Sequence, residues 1–368
     1  MSEAGRRIRV GVLLGGASAE REISLASGRM IAEYLPRDRY EVLLFDSLAL
    51  MAGNPTLPSD LAEKARALVA HAGAPEVLAD RSRELPAALQ QEMKSTAAGA
   101  APATEAIEIV EGKRRIDVAF IALHGTYGED GTLQGMLEIV GIPYVGSGVL
   151  ASALAMDKAM AAKMLAAEGI PVPQAVVIEL AERDEETMRR AAALIPAFVK
   201  PSRQGSSVGM SPVSRPQELG PAVETAFEYD SRVLVEERLE GREITVGVIG
   251  NRRLSALPVV EIVSKREFFD YRAKYDPALC DEICPAELPP DVVQAVQDLA
   301  LRAHRALDCR GYSRVDMILT ADRGPVVLEV NTLPGMTINS LFPKAAAAAG
   351  IPFGELLDRL VRLALGEE

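Results

Sequence analysis

The sequence predicts an α/β protein that opens on a parallel sheet and continues into mixed α+β units. Two observations carry this. Residues 116–123 are a near-continuous apolar run, as suits a parallel sheet, and Ile8–Leu14 and Tyr40–Asp46 read as a buried strand and a second strand with a helical stretch between them. Near the other end, residues 312–331 form two strand-like runs about a polar turn, the signature of an antiparallel hairpin.

The elements follow in order. Arg6 and Arg7, the apolar run after them and Ala17-Ser18-Ala19 imitate a signal peptide with its cleavage site. The run is short and ends in Gly15-Gly16, so a buried strand entering a glycine turn explains the same residues. A helix follows from about Arg21. Residues 50–110 carry two plausible surface helices and an Ala/Thr/Pro-rich stretch at 95–105; we read them as an exposed insertion. His124–Gly131 is glycine-rich and leads into a helix, with Asp130 a plausible N-cap. A boundary falls near Gly146-Ser147-Gly148. Beyond it, 149–167 reads as one Ala/Met-rich helix stopped by Gly169 and Pro171. Short strands at 172–179, 197–200 and 233–236 alternate with helices near 184–194 and 216–227. Further strands come after Glu243, then a polar segment at 264–282, a helix at 291–307, the hairpin and C-terminal helices. There is no internal repeat.

Composition narrows the function. The 368 residues leave room for two or three domains at about 100–200 residues each. Lys+Arg minus Asp+Glu is 40 − 52 = −12, so the chain is a poor partner for nucleic acid or an anionic membrane. No apolar run approaches the roughly 18 residues that span a bilayer. Three cysteines cannot staple a chain this long; they read as free thiols in a reducing cytosol.

The hairpin is the richest in chemistry. With the turn centred between Asp322 and Arg323, Asp316 faces Glu329 and Arg314 faces Asn331, and these four share one face. Val315, Met317, Leu319, Val326, Leu328 and Val330 take the other. Oxygen ligands on a rigid sheet suit a hard divalent cation. An ordinary solvated face with an Arg–carboxylate pair fits the same pattern, and the pattern alone does not decide between them. The loop 203–209, Arg-Gln-Gly-Ser-Ser-Val-Gly, follows the strand ending in Lys200. Its amides and hydroxyls could cradle phosphates, although it is not a P-loop, and a mobile surface loop would read the same. Gly11-x-x-x-Gly15-Gly16 with Asp46 imitates a dinucleotide fingerprint at the wrong spacing. His124 ends a strand where ligands collect in α/β sheets; His71 and His304 lie in helices and read as structural or exposed.

Several motifs together resemble the D-alanine–D-alanine ligases of the ATP-grasp superfamily. They are Leu14-Gly-Gly-Ala-Ser-Ala-Glu-Arg-Glu-Ile-Ser24; Ala122-Leu-His-Gly125 with Gly128-Glu-Asp-Gly-Thr-Leu-Gln-Gly135; Gly146-Ser-Gly148 with Met156-Asp-Lys158; Val199-Lys-Pro-Ser-Arg-Gln-Gly-Ser-Ser-Val-Gly-Met210; Phe269-Asp-Tyr-Arg-Ala-Lys-Tyr275; Arg314-Val-Asp316; and Leu328-Glu-Val-Asn-Thr-Leu-Pro-Gly-Met-Thr337. The resemblance runs over nearly the whole chain. It implies a three-domain ATP-grasp fold: a Rossmann-like parallel-sheet domain at 1–147, a central subdomain at 148–235 and a C-terminal subdomain with the metal site at 236–368. It implies cytoplasmic synthesis of a peptidoglycan precursor by a homodimer. ATP would phosphorylate one D-alanine, and the amine of a second would attack the acyl phosphate.

The resemblance also implies roles. Asp316, Glu329 and Asn331 would hold two Mg²⁺ (or Mn²⁺) on the triphosphate. Lys158 and Lys200 would contact phosphate, and the loop with Gly205 and Ser207 would close over it. Arg314 and the Gly335 N–H would form the oxyanion hole. Glu20 would bind the first ammonium, tied through Ser206 to Tyr275. Lys274, Ser340 and the Leu341 backbone would receive the second carboxylate, with His124 nearby. Glu236 and Glu243 would take adenine and ribose, with Leu239 at the hinge. Glu237-Arg238 and Asn339 depart from the usual pattern. Tyr275 favours an amine acceptor over D-lactate. A different ATP-grasp carboxylate–amine ligase is the broader rival. The malformed fingerprint disfavours an NAD-dependent oxidoreductase, and the intact Asp316/Glu329/Asn331 set disfavours a non-catalytic nucleotide binder.

Overall fold

The computed structural model describes residues 6–16, 20–47, 116–205, 207–264 and 280–368. The expected insertion at 50–110 lies outside them. Three sheets organise the described chain.

The first is parallel. It contains β1 (Ile8–Leu14), β2 (Tyr40–Asp46), β3 (Val118–Ile121) and β4 (Tyr144–Val145) in the order β2-β1-β3-β4, with α1 (Arg21–Tyr34) and α2 (Thr132–Ile139) in the connections. Val10, Val12, Val118, Phe120 and Val145 are fully buried, as the apolar runs require. Gly131, at φ +88°, occupies the N-cap of α2 itself. Asp130 still caps from one residue earlier, accepting from the Thr132 and Tyr127 amides at 3.0 and 2.8 Å.

The second sheet is antiparallel, order β5-β8-β6-β7, from β5 (Ala175–Glu179), β6 (Ala197–Pro201), β7 (Ser211–Val213) and β8 (Arg232–Glu237). Two helices back it, here α5 (Glu185–Ala192) and α6 (Pro216–Phe227); together they enclose a separate small core. The third sheet takes β9 (Arg242–Gly250), β10 (Ser255–Ala256), β11 (Val260–Ser264), β12 (Cys280–Ile283), β13 (Gly311–Thr320) and β14 (Gly324–Asn331). Its order is β12-β11-β9-β13-β14, with β10 on β9.

Residues 149–167, read from sequence as one helix, form two: α3 (Val149–Met156) and α4 (Lys158–Ala167). The break is Asp157, whose extended backbone (ψ 95°) ends one helix and whose carboxylate caps the next. Both helices, with α7 (Pro290–Ala306), cover one face of the third sheet, against Val246, Val248, Val315, Met317 and Val330. The opposite side meets the parallel sheet's core through Tyr312, Phe342 and the final helices α8 (Leu341–Ala348) and α9 (Phe353–Ala364).

The hairpin corrects the expected register beyond the site. Arg314↔Asn331 and Asp316↔Glu329 pair as read, but the ladder shifts between Asp316 and Met317, so Met317 opposes Val327. Leu328 is the extra residue of a bulge. Val327 joins Met317 in the core on that face, while Val326 is fully buried outside that cluster and Leu328 is half-buried. A bulge inside an otherwise alternating strand leaves no mark in composition.

Candidate active site

The polar face of the hairpin is the floor. Asp316 and Glu329 are cross-strand partners, and Arg314 and Asn331 flank them. Arg314 donates to both Asp316 oxygens, at 2.8 and 2.7 Å, and the pair is nearly buried, 8% and 15% exposed. From the neighbouring strand, Thr245 Oγ1 donates to Asp316 Oδ1 at 2.5 Å. Asn331 Oδ1 accepts from the Leu333 amide at 3.0 Å. Glu243 lies on β9 two residues before Thr245, on the same face.

Lys158 stands over this floor as the first residue of α4, with Nζ 3.8 Å from Glu329 Oε2 and 2.6 Å from the Gln204 carbonyl that accepts from it. Burial pushes its pKa below the usual lysine value; Glu329 opposes that and Lys200 adds to it. On the second sheet Lys200 donates to Glu236 at 2.7 Å. Glu236 is buried, so it is not a strand-end surface charge. Leu239, itself half-buried, follows in the otherwise exposed connection from β8 to β9.

The glycine-rich loop reaches the parallel-sheet unit. A Cβ on Gly205 would lie 3.5 Å from Glu20 Oε2, which places the loop beside the start of α1. Ser207 adopts a left-handed conformation (φ 57°). Gly209 does too, at φ +71°, and a Cβ there would sit 2.6 Å from the Tyr229 ring, so both strain and space demand glycine. His124 is buried at the carboxyl end of β3. Ser24 Oγ joins that strand to α1, donating to the Ala122 carbonyl at 2.7 Å and accepting from Gly15 N at 2.9 Å. Asp46, the acidic residue of the false dinucleotide fingerprint, is occupied by Arg21 at 3.1 and 2.5 Å.

The segment after Asn331 completes the enclosure. A Cβ on Gly335 would come within 3.0 Å of Ser340 Oγ, Ser340 occupies the N-cap position of α8 without a side-chain cap, and Leu341 is that helix's first residue. Free backbone N–H groups at such a terminus suit a carboxylate. Ser206, Lys274 and Tyr275 lie outside the described residues.

Sequence reasoning missed three contributors. Thr245 holds Asp316, but its role depends on the β9–β13 register, which no local pattern reveals. Glu129 accepts from the Gly125 amide at 2.6 Å and acts electrostatically on Lys158; it stood inside a quoted motif without a role. Asp157 was quoted as a neighbour of Lys158 only.

Two carboxylates and an amide oxygen on one rigid face, faced by lysines and a glycine loop, are a donor set that fits Mg²⁺ with a bound triphosphate. A parallel-sheet unit beside two antiparallel sheets, with this site between them, defines an ATP-grasp protein. Residues 9–147 match the family model described as D-ala D-ala ligase N-terminus, and 164–362 the one described as D-ala D-ala ligase C-terminus. The D-alanine–D-alanine ligase of Syntrophobacter fumaroxidans is 42% identical over 98% of both chains. Among solved structures, the Bacillus anthracis D-alanine–D-alanine ligase complexed with ATP superposes with a TM-score of 0.70, at 32% identity and 98% coverage of each chain. A D-Ala:D-Ser ligase from Enterococcus faecalis gives 0.76 at 32% identity, covering 98% of this chain and all of its own. The chain belongs to the D-alanine–D-alanine ligase family.

Proposed function

We propose that this protein joins two D-alanines at the expense of ATP, through a D-alanyl phosphate, to give D-alanyl-D-alanine, ADP and phosphate for peptidoglycan synthesis. One observation carries the reading: Arg314, Asp316, Glu329 and Asn331 share a polar face that Lys158 overlooks. Phosphoryl transfer between anions needs charge neutralisation and alignment more than covalent help. Lys158 and Lys200 neutralise phosphate charge. Glu236 and Glu243 receive the adenine amino group and ribose beside Leu239. Asp316, Glu329 and Asn331 would hold two Mg²⁺ (or Mn²⁺), which when bound spread the charge of the transferring phosphoryl group.

Glu20 anchors the first ammonium with Ser206 and Tyr275, and Gly205 and Ser207 enclose the γ-phosphate. The attacking amine belongs to a second D-alanine whose carboxylate rests on Lys274, Ser340 and the Leu341 amide. Arg314 and the Gly335 N–H stabilise the tetrahedral oxyanion, and His124 lines the substrate cavity. Boundaries at 147 and 235 and assembly as a cytoplasmic homodimer fit this reading. Among the described residues no helix is long and apolar enough to cross a membrane.

A phosphate-release assay with ATP, Mg²⁺ and single or paired D-amino acids tests it, with the product identified by mass. D-Alanine alone should support release and yield the dipeptide. Release only with D-serine or D-lactate as second substrate would reassign the acceptor. No release with any D-amino acid would overturn the reading.

A further inference from the structure

We propose that Asp157, Ser202 and Arg232 are positioning residues that lock Lys158 and the glycine loop into one phosphate-binding unit. The inference rests on the function proposed above and deepens it. Asp157 immediately precedes Lys158, and Ser202 immediately precedes the loop 203–209. Asp157 Oδ1 accepts from Ser202 Oγ at 2.7 Å, and Asp157 Oδ2 accepts from Arg232 Nη1 at 2.8 Å. Arg232 is held in turn by its cross-strand partner Glu179, at 2.6 Å. The fully buried Ser202 closes the lock with its backbone: its carbonyl accepts from Lys158 N at 3.0 Å, and its amide donates to the Arg232 carbonyl at 2.9 Å. Ser202 Oγ also accepts from Ala159 N at 3.2 Å.

Helix capping does not account for this. Capping needs the single bond from Met160 N to Asp157 Oδ1, at 3.2 Å; the two bonds to the other sheet are additional. The joined parts also have different cores. The helix α4 is buried against the third sheet, whereas Ser202 immediately follows β6 of the second. The lock therefore bridges two units at the point where both present groups to phosphate. Across the same junction Lys158 Nζ donates to the Gln204 carbonyl at 2.6 Å. Loosening it should weaken recognition of the triphosphate and leave recognition of the base and ribose alone.

Calorimetry on the full chain with excess Mg²⁺ tests this, comparing adenosine with a non-hydrolysable ATP analogue. Asp157→Asn keeps a capping side chain but removes the charge facing Arg232; Ser202→Ala removes the hydroxyl. Each should weaken the analogue by about tenfold while adenosine binds as in wild type, since a hydrogen bond to a charged group carries roughly that factor. Asp184→Asn alters an equivalent cap on α5, remote from the loop, and should change neither. Unchanged analogue binding overturns the inference. So does an equal loss of adenosine and analogue, or a variant that fails to fold, because each marks a structural role. Failure of wild type to bind the analogue would instead overturn the proposed function.

Discussion

Lys200 and Glu236 neutralise each other across adjacent strands: Nζ donates to Oε1 at 2.7 Å, with side chains 12% and 8% exposed. The function proposed above gives Lys200 to the phosphates and Glu236 to the adenine, so on that reading the pair would link the two ends of one nucleotide. Removing one partner of a buried pair leaves the other charge desolvated and unpaired. Glu236→Ala should destabilise by about 3–5 kcal/mol, whereas Lys200→Met with Glu236→Met should recover most of that without restoring nucleotide binding. Urea midpoints with nucleotide calorimetry decide it. A Glu236→Ala midpoint equal to wild type would mean the pair carries no stability.

Glu329→Gln tests the floor. It keeps the shape and removes one anionic oxygen from the proposed metal set and from beside Lys158. The side chain is 38% exposed, so the urea midpoint should barely move. Turnover should fall at least about 10²-fold, because groups that neutralise charge in phosphoryl transfer are worth several kcal/mol. The Lys158 pKa, already lowered by burial and raised by Glu329, should drop further. Near-normal turnover at saturating Mg²⁺ would remove the hairpin as the metal site.

Much of this was legible in the residues. The parallel strands declared themselves because burial on both faces leaves no polar position in Val10–Leu14 or 118–123. The pairing of Asp316 with Glu329 followed from the two-residue period and the turn. What stayed hidden depends on contacts between distant segments. The bulge at Leu328 is backbone geometry without a compositional cost. The break at Asp157 interrupts an Ala/Met-rich run of high helix propensity, and the contact that holds Asp157 there comes from Ser202, 45 residues on. Thr245 reads as an ordinary strand threonine until β9 is laid beside β13. Pairwise roles for Ser206, Lys274 and Tyr275 came from the resemblance alone.

Asp358 pins the last helix to the parallel sheet. It accepts from Tyr40 OH at 2.8 Å and from Arg39 Nη1 at 2.9 Å on both oxygens, and it is nearly buried. Arg39 is 57% exposed, so its ion pair is screened and contributes little. Tyr40 is 1% exposed, and its hydroxyl has the larger stake. Asp358→Asn, which still offers Tyr40 an oxygen, should cost under about 1 kcal/mol; Asp358→Ala should cost about 2–3 kcal/mol through the orphaned hydroxyl. Chemical denaturation of the two variants checks the order. Equal losses would place the energy in the Arg39 charge instead.

His304 gives the fold a defined acid limit. It is fully buried in α7, with Nδ1 2.7 Å from Ser313 Oγ and no hydrogen-bond partner for Nε2 among the described residues. Burial, with a smaller push from Arg305, lowers its pKa from 6.5 to about 4. The folded state thus holds a neutral ring through a range in which the unfolded chain takes up a proton. A base with a depressed folded pKa contributes stability that is complete above 6.5 and is lost as pH falls from 6.5 towards 4. A shift of this size corresponds to about 3 kcal/mol. Carboxylates titrate in the same window, so the measurement is a difference. His304→Gln, which cannot take up a proton there, should be less stable than wild type at pH 7 and should lose less stability on acidification. The two urea-midpoint curves should therefore converge between pH 6.5 and 4. Parallel curves across that interval would show that His304 is already charged in the folded protein, and its burial would then need a counter-charge.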